Sequence, residues 1–131
     1  MQDTNKLIDL EKTLEYFIAF KKRLADWDYF GEKIPERMAD GIARYVIYGI
    51  PPGQFMVKVL SNDLMGAFNY ADQHNKKLLD VYACLMFNIL PFNCWGSEEL
   101  VYEWSKRGGL DGVDGAEDWM DNMWNSIGGV K

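Results

Sequence analysis

The stretch LLDVYACLMFNIL, residues 78–90, is apolar apart from Asp80 and Asn88, and whether it forms a strand or a helix decides the fold class. Val81, Tyr82 and Phe87 would suit a strand. The abundance of Leu, Met and Ala, and a length well beyond the usual strand of about 5–6 residues, predict a helix buried on most of its sides. Pro91 ends it, because proline lacks the backbone donor a helix needs and fixes its own φ.

Working outward, the flanking segments carry helical rather than alternating periodicity. Leu7, Leu10, Leu14, Phe17, Ile18, Leu24 and Trp27 recur near helical spacing after a cap at Thr4 or Asn5, with Lys21, Lys22 and Arg23 toward the C-terminal end. DYFGEK stops that helix at Gly31. Pro35 is expected at the first position of a second helix with Met38, Ile42, Tyr45 and Val46 on one face, ending at Gly49. Pro51 and Pro52 interrupt the chain, and Pro52 is expected to open a third helix bearing Phe55, Met56, Val59 and Leu60. Asp63 and its neighbours cap a fourth segment with Leu64, Met65, Phe68 and Ala71, after which ADQHNKK breaks the pattern. Ser97 caps a helix through Leu100, Val101 and Trp104 that Gly108 and Gly109 end. The expectation is an all-α, compact single-domain bundle of about six to seven short helices around the central apolar helix.

Within that domain, residues 1–110 form the main body and 111–131 an acidic linker followed by an amphipathic C-terminal helix. Ala116, Trp119, Met120, Met123, Trp124 and Ile127 repeat at helical spacing, with Glu117, Asp118 and Asp121 on the other side. That Trp and Met stripe could close the monomer's own core or pair two copies into a homo-oligomer.

The net charge of −6 is unevenly spread. Residues 111–131 hold one Lys against five Asp or Glu, whereas the rest of the chain is nearly balanced. Binding nucleic acid in general requires clustered Lys and Arg, and between Tyr45 and Asn75 the sole Lys or Arg is Lys58, so that class is disfavoured. No apolar run approaches the roughly 18 residues needed to span a bilayer, and no secretory leader precedes Leu7, so a reduced, cytoplasmic setting without membrane contact is expected.

Catalytic chemistry finds no set of residues. His74 is the one histidine and sits in a polar stretch, Cys84 and Cys94 lack an electropositive context, and Glu98, Glu99 and Glu103 read as a solvated helix face. Two cysteines and one distant histidine make no zinc site, and an EF-hand drawn from Asp111 would put Val113 and Gly115 at ligand positions. A helix-turn-helix drawn through residues 55–68 would offer the major groove no Lys or Arg. No enzyme activity, cofactor or metal is expected.

The aromatic content of 15% and the helix starts after Gly, Pro and Asn leave one positive expectation. Rings stack on a nucleobase for about 1–3 kcal/mol each, and free amides at a helix start hold an anion. In YVIYGIPPGQF, residues 45–55, no Gly-Lys-Ser/Thr follows, so the stretch is no Walker loop. Candidate ligand-binding residues are Arg44, Tyr48, Gly53, Gln54, Asn62, Asn93, Trp95 and Ser97, with Arg44 and the amides after Pro52 on phosphate. The alternative partner surface is Glu117, Asp118, Asp121, Trp119 and Trp124 facing a basic groove on a protein.

Residues 43–100 also carry the pattern RYVxxGIPPGxF, then LxNDLxxA and AD, then CWGS. Its positions here are Arg44, Tyr45, Gly49 to Gly53, Phe55, Asn62, Asp63, Leu64, Ala67, Asp72, Asn75 and Cys94 to Ser97. The chain thereby resembles a group of small phage and prophage proteins of unassigned function. The resemblance implies a phage-encoded protein of the host cytoplasm that counters host defence by stoichiometric binding. Its sharpest form is sequestration of a nucleotide-derived immune signal. An acidic inhibitor of a host nucleic-acid-processing defence complex, and a minor virion or packaging component, are the alternatives.

Overall fold

The computed structural model describes residues 2–112, with side chains from residue 10 to 110. The described residues are all-α. Seven helices follow one another: α1 (Gln2–Asp26), α2 (Glu36–Tyr48), α3 (Gln54–Leu60), α4 (Leu64–Tyr70), α5 (Gln73–Lys77), α6 (Leu79–Asn88) and α7 (Glu98–Lys106). Single 3-10 turns occupy Phe92–Cys94 and Gly109–Gly112. The acidic segment with Glu117, Asp118, Trp119, Asp121 and Trp124 lies outside the described residues.

α1 and α2 pack antiparallel, with Lys21 paired to Asp40 at 3.4 Å and Phe17 against Tyr48 at 5.8 Å between ring centroids. The connection, residues 27–35, contains a two-residue turn in which Phe30 and Gly31 both take positive φ (52° and 86°). Tyr29 and Glu32 exchange backbone hydrogen bonds across it, and the Asp28 carboxylate accepts from the Gly31 amide. Because the α1 backbone is helical from Gln2, Thr4 and Asn5 stand inside the helix rather than at its cap.

The structure moves the centre of the core from α6 to α2. Ala39, Ile42, Ala43, Tyr45, Val46 and Ile47 are all fully buried, a set spanning roughly half the helix circumference. α1 covers one side of α2 and the 3-10 turn at Gly109–Gly112 covers another. α6 instead buries one face, Val81, Tyr82, Leu85 and Met86, and turns Phe87 outward. An unbroken apolar run therefore overstated its burial, while the small Ala39 and Ala43 let neighbours approach α2 closely.

Helix starts differ by a residue or more from the expectation. Pro35 and Gly53 are the N-caps of α2 and α3, both extended (ψ 148° and 170°), so Pro35 is not at the first helical position and Pro52 lies outside α3. Asp63, Asp72 and Ser97 cap α4, α5 and α7 by accepting the amide protons of Gly66, Asn75 and Leu100. The stretch ADQHNKK, expected to break the helical pattern, contains α5. On α4, Ala67 is buried and Leu64, Met65 and Phe68 face outward.

The end of α2 fixes the position of the last described elements. Gly49 closes the helix with φ 74°, and its neighbour in space is Gly109, with φ 67°. A Cβ on Gly109 would stand 2.6 Å from the Gly49 amide nitrogen and 2.7 Å from the Val46 carbonyl oxygen, both rigid backbone atoms. A Cβ on Gly53 would meet nothing within 4 Å, at a φ of −65°. Gly109→Ala is therefore expected to destabilise by at least about 2 kcal/mol, and Gly53→Ala to leave stability level or raise it by about 0.4–1 kcal/mol. Urea unfolding of the two variants, followed by circular dichroism, checks both.

Candidate functional site

The double-proline corner lays the start of α3 against the first half of α2, and a cleft of about 290 Å³ opens between them and α5. Arg37, Met38 and Gly41 form its α2 wall, Pro52 to Met56 form the opposite wall, and Asn75 closes the α5 end. Gly41 lies against Pro52, where a Cβ would stand in ordinary contact with the ring at 4.0 Å.

Three kinds of polar group meet in this cleft. Arg37 sends Nη2 to the Asp72 carboxylate at 2.9 Å and keeps its guanidinium largely exposed. The first amides of α3 form the second group: Val57 is the first residue to bond within the helix, to the Gly53 carbonyl, and no side chain caps the amides before it. Asn75 is the third, only 3% exposed. Its Oδ1 accepts from the Tyr82 hydroxyl at 2.7 Å, while its Nδ2 has the Met38 thioether at 3.9 Å, a weak acceptor. Phe55 supplies an aromatic wall, held edge-on against Tyr82 with centroids 5.3 Å apart.

Asp72 ties the arrangement together. Its Oδ1 accepts from the Asn75 amide at 2.7 Å and caps α5, while Oδ2 takes the Arg37 guanidinium. The Asn75 backbone hydrogen bond, with Arg37 adding to it, holds the Asp72 carboxyl below its ordinary value. Arg37 is thus pinned by one carboxylate oxygen and retains other N–H groups for an anion.

The eight expected ligand residues separate into three places. Gly53 and Gln54 line the cleft. Arg44 and Tyr48 lie on the α1 side of α2. There Arg44 donates to Asp40 at 2.7 Å and stands 6.0 Å from the Phe17 ring centroid, and Tyr48 packs on that same ring. Partial desolvation would raise the Asp40 carboxyl, but hydrogen bonds from Arg44 and Lys21 outweigh it and the net shift is downward.

Asn62, Asn93, Trp95 and Ser97 gather at the far end of α3, where the Gly96 amide donates to the Leu60 carbonyl at 2.7 Å. Asn62 takes a left-handed turn (φ 62°), Ser97 is occupied as a cap, and Trp95 stacks edge-on with Phe87 at 4.8 Å. Trp95 Nε1 and Ser61 Oγ there are buried without a hydrogen-bond partner among the described residues. The structure therefore does not bring Arg44 to the corner amides; Arg37, two helical turns earlier, stands there instead. Asn75 and Met38 were likewise not foreseen as site residues.

Elsewhere, burial pushes the Cys94 thiol up and away from reactivity, and its carbonyl receives the Tyr45 hydroxyl at 2.7 Å. Among the described residues no group of His, Cys, Asp and Glu is arranged to hold a metal ion, and no helix is long and apolar enough to cross a membrane. Comparison with family models, with curated proteins and with solved structures finds no match.

The Asp72 ion pair has a defined pH signature. A carboxyl lowered in the folded state contributes stability above its unfolded value near 3.8 and loses it as pH falls through the folded value. Asp72→Asn keeps a competent cap but removes the charge. The variant is expected to be less stable than the parent at neutral pH. The difference should close in acid below the ordinary value, as read from urea midpoints across a pH series.

Proposed function

We propose that this chain acts by stoichiometric binding, as a phage-encoded protein of the host cytoplasm that sequesters a small phosphate-bearing nucleotide. The observation that carries the reading is the convergence of Arg37, the uncapped α3 amides and the buried Asn75 amide on one cleft beside Phe55. A guanidinium and helix-start amides suit phosphate oxygens, and a fixed amide beside a ring suits a base edge. The phage-like pattern over residues 43–100 supports the setting, since Gly53, Phe55, Asp72 and Asn75 are among its positions.

Size narrows the ligand. Drug-sized pockets run from about 300 Å³ upward, so 290 Å³ accommodates one nucleoside unit with its phosphate rather than a cyclic oligonucleotide. A protein partner is favoured by a different observation, the exposure of Leu64, Met65 and Phe68 together on α4.

Isothermal titration with adenosine and guanosine monophosphates, their cyclic forms and ADP-ribose tests the nucleotide reading. Binding is expected for at least one of them. Arg37→Ala should weaken it by about tenfold or more, the loss of a charge-assisted hydrogen bond, and Arg44→Ala should leave it unchanged. Absence of heat across the panel, or a larger effect of Arg44→Ala, would overturn the proposal.

A further inference from the structure

Asn75, buried on the wall of the cleft, has a full-strength partner at every polar atom but one. Its backbone N–H donates to the Asp72 carboxylate at 2.7 Å, its carbonyl accepts from the Leu78 amide at 3.0 Å, and its Oδ1 accepts from the Tyr82 hydroxyl at 2.7 Å. Nδ2 meets only the Met38 thioether among the described residues, at 3.9 Å, and that sulfur also receives Arg37 Nη1 at 3.5 Å. A thioether is a weak acceptor, and one sulfur shared by two donors leaves a buried amide group short of its ordinary partners.

The neighbours fix which way the amide faces. Tyr82 is fully buried, and burial pushes its hydroxyl up, so the hydroxyl stays protonated and has a proton to place. Asn75 Oδ1 takes that proton; with the amide reversed, donor would face donor. Met38 belongs to the cleft wall and Tyr82 does not, so Oδ1 is turned off the cleft and Nδ2 toward it.

This orientation blocks the usual pairing of Asn with adenine, in which the side-chain oxygen accepts from the N6 amino group while the nitrogen donates to N7. With Oδ1 committed to Tyr82, Asn75 offers the cleft a donor alone. Guanine presents two acceptors, O6 and N7, on the corresponding edge, and hypoxanthine presents the same two. Adenine sets an amino group against the donor.

We infer that Asn75 selects the base, and that the cleft takes a 6-oxopurine nucleotide, of guanine or hypoxanthine type, in preference to an adenine one. The inference rests on the reading of the cleft as a nucleotide site. Tyr82 is its positioning residue: the hydroxyl touches no ligand and acts by holding the Asn75 amide in one orientation.

Isothermal titration of the full chain with guanosine, inosine, adenosine and purine riboside monophosphates tests this. The guanosine and inosine forms share an oxygen at position 6 and are expected to bind about tenfold more tightly than the other two, which carry an amino group or hydrogen there. The weaker pair still binds through the phosphate. Tyr82→Phe leaves Oδ1 unclaimed and lets the amide turn, so the ratio of guanosine to adenosine affinity should fall close to one, with binding and helicity by circular dichroism retained. If that variant loses helicity, the order of the four ligands on the parent protein carries the test. Adenosine monophosphate binding as tightly as the guanosine form, or a ratio unchanged in folded Tyr82→Phe, would overturn the inference and leave the nucleotide reading standing. Absence of heat with all four would overturn the inference; extended to the cyclic forms and ADP-ribose, it would overturn the nucleotide reading as well.

Discussion

The last turn of α2 is the point on which the other elements depend, because its carbonyl end, besides closing on its own Gly49 amide, accepts hydrogen bonds from side chains far along the chain. Trp104 Nε1 donates to the Tyr45 carbonyl at 3.0 Å, and Ser105 Oγ donates to the Gly49 carbonyl at 2.7 Å. α7 is thereby fastened to α2 by two side chains across more than fifty residues of sequence. The Tyr45 hydroxyl reaches the other way, to the Cys94 carbonyl, and holds the loop between α6 and α7. Burial raises the Tyr45 pKa and keeps the hydroxyl protonated as a donor. Gly109 then seats against Gly49, where neither residue can carry a side chain without displacing backbone.

This arrangement gives the double-proline corner two unlike ends. On the carbonyl end, the Tyr45 carbonyl accepts from Trp104 and from the Gly49 amide, and the Gly49 carbonyl accepts from Ser105. On the amide end, at Gly53 to Met56, the helix start meets Arg37 and Asn75 across a cleft and has no side-chain cap. Pro51 and Pro52 make the division, since neither offers an amide that could bridge the two ends. A helix end anchored by distant side chains next to a helix start without a side-chain cap is a way to hold a cleft in shape without a large scaffold.

Much of the fold was legible because it rests on local chemistry. Gly49 as a left-handed cap, Asp63 and Ser97 as N-caps and the helical character of 78–90 follow from residue type and spacing. What the sequence concealed was burial. The run 78–90 is more apolar than α2, yet Ala39 and Ala43 permit closer packing, and contacts made by α7 over fifty residues away decide that α2 is enclosed. α5 escaped notice because its one buried residue is Asn75, whose place depends on the Tyr82 hydroxyl and the Asp72 cap rather than on hydrophobic periodicity. Gly53 and Gln54 were recognisable as exposed helix-start residues. Arg37 was not, because Arg37 and Arg44 lie seven residues apart on one helix, and the course of the chain after Pro51 and Pro52, back along the first half of α2, decides which of them meets the corner.

The central claim is that the corner's amide end, and not its carbonyl end, receives ligand. A titration of isotope-labelled protein with adenosine monophosphate, followed by amide nuclear magnetic resonance, addresses it residue by residue. The account predicts progressive shifts at Gly53, Gln54, Phe55 and Asn75, with Arg44, Tyr48 and residues 92–97 unmoved. Shifts centred on Arg44 and Tyr48 or on residues 92–97, or a spectrum indifferent to the nucleotide, would contradict it.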